Sequence, residues 1–142
     1  MLRSEIPLGG MAVIAAAFLV SACVPYPVYK TLQPEASITV LDAANQPVAG
    51  AEVTLVSKAY PYGREKGRVT KTTEANGMAS FEAMREWRTE VLMIHGSEEF
   101  FWNWCIRKTG FATHVTSNRS ASEFQRAMQV RLKPGVDSPC PP

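Results

Sequence analysis

From Ser37 onward, apolar and polar positions alternate with a period of two rather than the 3.6 of a helix. Ile38 and Val40 fall on one side, Thr39 and Leu41 on the other, as in a strand with one buried face. The stretch from Asp42 to Pro47 supplies turn chemistry. Alternation resumes from Val48 to Ser57, with Ala51, Val53 and Leu55 facing one way and Glu52 and Thr54 the other. Lys58 to Lys71 interrupts it as a loop. Asn76-Gly77 is a reversal signal, after which Ala79 and Phe81 point one way and Met78 and Ser80 the other. Glu82 to Arg88 is expected to form a short helical turn, since Met84 and Trp87 stand three apart. Val91-Leu92-Met93-Ile94 is a continuous apolar run that fits a central strand covered on both faces. Phe100 to Ile106, Gly110 to Thr116 and Phe124 to Leu132 complete the series. In the last, Phe124, Met128, Val130 and Leu132 share a face. The pattern predicts an all-β sandwich of seven or eight short strands.

The N-terminus follows a different rule. Met11 to Val20 is ten residues without a charge, about 15 Å as a helix and half of a hydrocarbon core of about 30 Å. That length fits the apolar region of a cleaved signal peptide over 1–22 rather than a membrane span. Val20-Ser21-Ala22-Cys23 closes the run and resembles the lipobox of bacterial lipoproteins: an aliphatic residue, two small residues, then the cysteine that is lipidated. The resemblance implies lipid on Cys23, with two or three acyl chains giving a stable anchor. Val24 stands where an Asp commonly retains such proteins in the inner membrane, which implies the outer membrane, facing the periplasm, with the cell membrane as alternative. An ordinary secretory leader that leaves Cys23 a plain thiol is the competing reading.

Three prolines lie in the eleven residues from Val24 to Pro34, so this stretch, within a tether over 23–36, is expected to follow an extended polyproline-II path some 30 Å long at about 3.1 Å per residue. Tyr26 and Tyr29 have the alternative of lying against the domain or the headgroups. Removing 22 of the 142 residues leaves 120, enough for one small domain. The leader carries Arg3 and Glu5, so the remainder keeps the net charge of +2. That balance argues neither for nucleic acid nor for general attraction to membranes. With Cys23 lipidated, Cys105 and Cys140 are left in an oxidising compartment with no other partner. A bridge between them is expected, two reduced thiols being the alternative. No metal site is expected, because these two cysteines lack the usual ligand spacing.

Four further groups of residues carry a second resemblance. Ile38-x-Val40-x-Asp42 is followed by Gln46-Pro47-Val48-x-Gly50-Ala51-x-Val53-x-Leu55. Thr72-x-x-x-Asn76-Gly77-x-Ala79-x-Phe81 comes next, and Val130-x-Leu132-x-Pro134 closes the series. Together they resemble the carboxypeptidase regulatory-like domain over residues 37–134, followed by a tail, 135–142, that contains Cys140. The resemblance implies a transthyretin-like (prealbumin-like), Ig-like sandwich and a structural, adhesive or ligand-binding role without catalytic residues. Against that pattern, Lys58–Arg68 is longer and more basic than a hairpin needs, and Glu98–Cys105 is unusually aromatic.

Those two departures hold the candidate binding residues. Phe100, Trp102 and Trp104 line one face of a strand and Phe101, Asn103 and Cys105 the other; either face can be the core. If the first is exposed, it offers an aromatic platform for stacking on a sugar. Tyr60, Tyr62, Arg64, Lys66 and Arg68 form the second candidate. Lys58 to Lys71 holds five basic residues and one acid, suited to an anionic envelope polymer or an acidic protein. His95 and His114 are single histidines and read as structural. No GxSxG, HExxH or paired carboxylates occur in a recognisable frame, so no catalytic residue, cofactor or enzyme activity is expected. The expectation is a monomeric, lipid-anchored, non-catalytic binding or scaffolding module for a periplasmic protein or anionic envelope component. The alternative is a carbohydrate-binding module that uses Phe100–Trp104.

Overall fold

Ile38 and Val40 are fully buried while Thr39 and Leu41 are half-covered, so the alternation in the sequence is the inside and outside of a real strand. The computed structural model describes residues 25–91 and 97–142. The leader, Cys23, His95 and residues 92–94 of the apolar run lie outside the described residues. Contacts divide the chain into two units, Met1–Tyr29 with Trp87–Ser97, and Lys30–Glu86 with Glu98–Pro142.

The larger unit contains the sandwich. Its first sheet has the order β5-β2-β9, with β2 (Ala36–Leu41) between β5 (Met78–Phe81) and β9 (Ala127–Arg131). β2 runs antiparallel to β5 and parallel to β9, and Ile38 stands opposite Ala79 and Met128. The second sheet has the order β4-β3-β7-β8, built from β3 (Glu52–Tyr60), β4 (Arg64–Thr72), β7 (Glu99–Arg107) and the short β8 (His114–Val115). One core joins the sheets: Ile38, Val40, Phe81 and Leu132 meet Val53, Leu55, Trp104 and Ile106. Phe124, at the end of the 3-10 turn Ala121–Glu123, stacks on Trp104 at 5.4 Å, and Phe81 meets the same indole edge-on at 5.3 Å. These seven strands realise the predicted all-β sandwich.

Turns hold the strands in register. The Asp42 carboxylate accepts hydrogen bonds from the backbone N–H of Ala44 and Gln46, each at 2.8 Å, and Asn45 takes a left-handed φ of 61° that asparagine tolerates. The buried Thr73 hydroxyl donates to the Val48 carbonyl at 2.7 Å and accepts from the Ala51 N–H at 2.8 Å. It thereby fixes the entry to β3.

Three expectations are corrected. Lys58–Lys71 is not a loop: it is the end of β3, the tight turn at 61–63 and the strand β4. Met84–Val91 is a strand, β6, rather than a helical turn; its exposed positions leave no buried period by which to recognise it. Pro25–Gln33, expected as a free polyproline tether, is the strand β1, which pairs with β6 in a two-stranded sheet. Prolines at 25 and 27 are compatible with this because a two-stranded sheet leaves every strand an edge.

Candidate functional site

Strand β7 is buried along almost its whole length because each of its faces has its own cover. Phe100, Trp102 and Trp104 turn inward, with 8%, 7% and 1% exposure. The Trp102 indole N–H donates to the Leu32 carbonyl at 2.7 Å. These three side chains are core, so they do not form the aromatic platform that the alternative reading required. Their inward direction was open in the sequence because the opposite face, Phe101, Asn103 and Cys105, is covered as well. Phe101 stacks on Tyr60 at 5.0 Å. The Asn103 carboxamide oxygen accepts from the Asn118 N–H at 2.6 Å and from the Thr116 hydroxyl at 3.1 Å. Cys105 is bonded to Cys140, so the expected disulfide is present.

That disulfide is one stitch in a strap. Residues 137–142 are fastened along the outer face of the four-stranded sheet. The Arg107 guanidinium grips the Asp137 carboxylate with two bonds, at 3.0 and 2.9 Å, the bidentate arrangement that gives strength and fixed geometry. Hydrogen bonding to Arg107 holds the Asp137 carboxyl below its ordinary pKa. The Thr113 hydroxyl accepts from the Ser138 N–H at 2.8 Å. Beyond Cys140, Lys58 donates to the Pro142 carbonyl at 3.2 Å and Arg68 to the Pro141 carbonyl at 3.3 Å.

The basic residues of 58–71 are thereby accounted for one at a time. Arg68 is shared between Pro141 and Glu65, whose carboxyl is held below its ordinary pKa by hydrogen bonding to that guanidinium. Lys66 forms an ion pair with Glu98. Arg64 lies over the Tyr62 ring at 5.2 Å. Lys71 donates to the Ser80 carbonyl at 2.7 Å and lies over Phe81, closing the edge of the core. β4 is the edge of its sheet, and the register shifts at Ser57/Lys58. Charges and a bulge on an edge strand deter pairing with a second chain. Tyr62, at 74% exposure, is the member of this group most open to solvent.

Between the strap and residues 115–119 a cleft of about 300 Å³ opens on the outer face. Phe101 and Asn103 line it from β7, Lys58 and Val56 from β3, and Gly63 from the β3–β4 turn; Pro141 and Arg119 also contribute. Two of its lining residues are cations and none is acidic. A second hollow, of about 370 Å³, shares Phe101 and Arg119 and brings in Tyr60. Of the sequence candidates, Tyr60 reaches this region directly, while Arg64, Lys66 and Arg68 do not line the cleft. Arg119 and Asn103 do, and no motif marks either as a lining residue, since each is an isolated polar residue until the fold brings 115–119 over β7. Among the described residues, no three His, Cys, Asp or Glu side chains gather to hold a metal ion, and no helix is long and apolar enough to cross a membrane. Compared with family models, curated proteins and solved structures, the chain has no match.

Proposed function

We propose that this chain is a lipid-anchored envelope protein, held by acyl chains on Cys23 at the outer membrane and facing the periplasm. Its sandwich, of the carboxypeptidase regulatory-like kind, serves as a non-catalytic binding or scaffolding module for a periplasmic protein or anionic envelope component. The observation that carries the reading is the cleft beside the strap, whose charged lining is cationic throughout, through Lys58 and Arg119, above an aromatic floor at Phe101. The Cys105–Cys140 bridge supports the compartment, because structural disulfides persist where thiols are oxidised.

A photo-crosslinking amino acid placed at Tyr62, beside the cleft, tests the reading in intact cells. The expected result is a discrete crosslinked species whose yield falls roughly tenfold in a Lys58→Glu, Arg119→Glu background, equivalent to about 1.4 kcal/mol. Cys23→Ser is expected to move the protein to the soluble fraction. A crosslink yield indifferent to both charge reversals removes the cleft from the proposal.

A further inference from the structure

Among its described residues, the smaller unit presents a face of uncharged side chains. In β1 (Pro25–Gln33), Pro25, Pro27 and Tyr29 are exposed and alternate with half-buried Tyr26 and Val28. In β6 (Met84–Val91), Trp87, Thr89 and Val91 are exposed and alternate with half-buried Arg88 and Glu90. Alternate residues of a strand share a face, and the Tyr29 and Trp87 rings meet at 5.2 Å across the pair. That contact puts both exposed sets on one side of the ribbon: Pro25, Pro27, Tyr29, Trp87, Thr89 and Val91, with exposed Arg85 next along that side of β6. Arg85 is the one charge among these seven and stands at the edge of the face, whereas a soluble surface is ordinarily about 25–35% charged. Trp87 is 71% exposed and Tyr29 57%.

We propose that this face lies on the surface of a lipid bilayer. The inference rests on the Cys23 anchor of the proposed function and adds an orientation to it. Cys23 precedes β1 by two residues and Tyr29 by six, a reach of at most about 20 Å along a strand. A ribbon standing upright from the anchor carries Tyr29 and Trp87 clear of a headgroup layer only about 5–8 Å deep per leaflet. A ribbon lying flat puts both rings into that layer. Tyrosine and tryptophan suit it, with an apolar body for the acyl boundary and an O–H or N–H for the headgroups. Proline is also at home there, since its missing N–H leaves less backbone to satisfy. The charges at Arg88 and Glu90 sit at the alternate, half-buried positions. A periplasmic protein seated on this face is the competing occupant, and it predicts no contact with lipid.

Tryptophan emission separates the two. The protein has three tryptophans, and Trp102 and Trp104 are buried in the core, so a quencher that acts at contact range in the membrane reports on Trp87. Protein extracted from membranes of cells expressing the full chain is reconstituted into phosphatidylethanolamine–phosphatidylglycerol vesicles, with acyl chains either plain or brominated near the headgroup. The expected result is a loss of about a third of the emission in the brominated vesicles, the share of one tryptophan in three, and no loss in Trp87→Phe. Undiminished emission from protein that floats with the brominated vesicles overturns the inference while leaving the anchor intact. Failure of the anchor reading shows differently, as Cys23→Ser protein that still sediments with membranes.

Discussion

Gly77 shows how much one position can fix. Its φ of 76° is left-handed, and a Cβ there would stand 2.6 Å from the Val40 carbonyl oxygen, a backbone atom that cannot swing aside. The Gly77 carbonyl in turn accepts from the Val40 N–H at 2.8 Å, so the turn is locked against the central strand of its sheet. Gly77→Ala is expected to lower unfolding free energy by roughly 2–3 kcal/mol, from the left-handed backbone and the displaced strand together. Gly67 has open space where a Cβ would go, and Gly67→Ala is expected to stay within about 1 kcal/mol of the parent. Urea titration of both variants makes the comparison; equal losses would mean that the turn at Gly77 does not depend on its close approach. Such a position is legible in sequence because its backbone demands a residue type, and Asn76-Gly77 announces it. The direction of Trp102 and Trp104 is not legible in the same way. Alternation assigns them a shared face but not which side is core, and here a strap and residues 115–119 bury the other side too.

At the scale of elements, period-two patterning finds strands that have one wet face and misses those with two. β2 and β5 were readable for that reason. β4 alternates only weakly, with Glu65 and Val69 half-covered in an otherwise exposed strand, so its charges look like a loop. β6 is similar, and the spacing of Met84 and Trp87 imitates a helix. The strap was legible only at Cys140, since its other fastenings, Arg107–Asp137 and Thr113–Ser138, join residues that have meaning only once folded. Its contribution can be measured. The bridge closes a loop with a sequence separation of 35, worth about 3–4 kcal/mol in the chain-entropy model. Cys140→Ser is expected to lose that much in urea unfolding, and the parent protein in reductant is expected to match the variant. A variant as stable as the oxidised parent would show that Asp137 and Ser138 hold the strap unaided.

The stability of the whole molecule should descend in two steps on acidification, because two groups on the β7–β8 side of the sandwich respond to pH in different ranges. Burial holds the His114 imidazole below its ordinary value of 6.5, and its Nε2 has no hydrogen-bond partner among the described residues. Above pH 6.5 the ring is neutral in both states and the folded form pays no penalty. As pH falls through 6.5 the unfolded chain takes up the proton first, so stability declines until the folded imidazole is protonated as well. Asp137 acts lower. Its carboxylate, held by Arg107 below the ordinary 3.8, stabilises the fold above that value; as pH falls further the unfolded chain is protonated first and the grip on the strap is lost. Urea midpoints measured from pH 8 to 3 are therefore expected to hold level, decline below about 6.5, and decline again below about 4. His114→Gln should abolish the first decline and keep the second, whereas Asp137→Asn should start from a lower plateau and reduce the second, the remainder coming from Glu65, which Arg68 also holds below its ordinary value. A first decline that survives His114→Gln would assign it to another group, and the strap and the β8 edge would then have to be treated as independent of pH above 4.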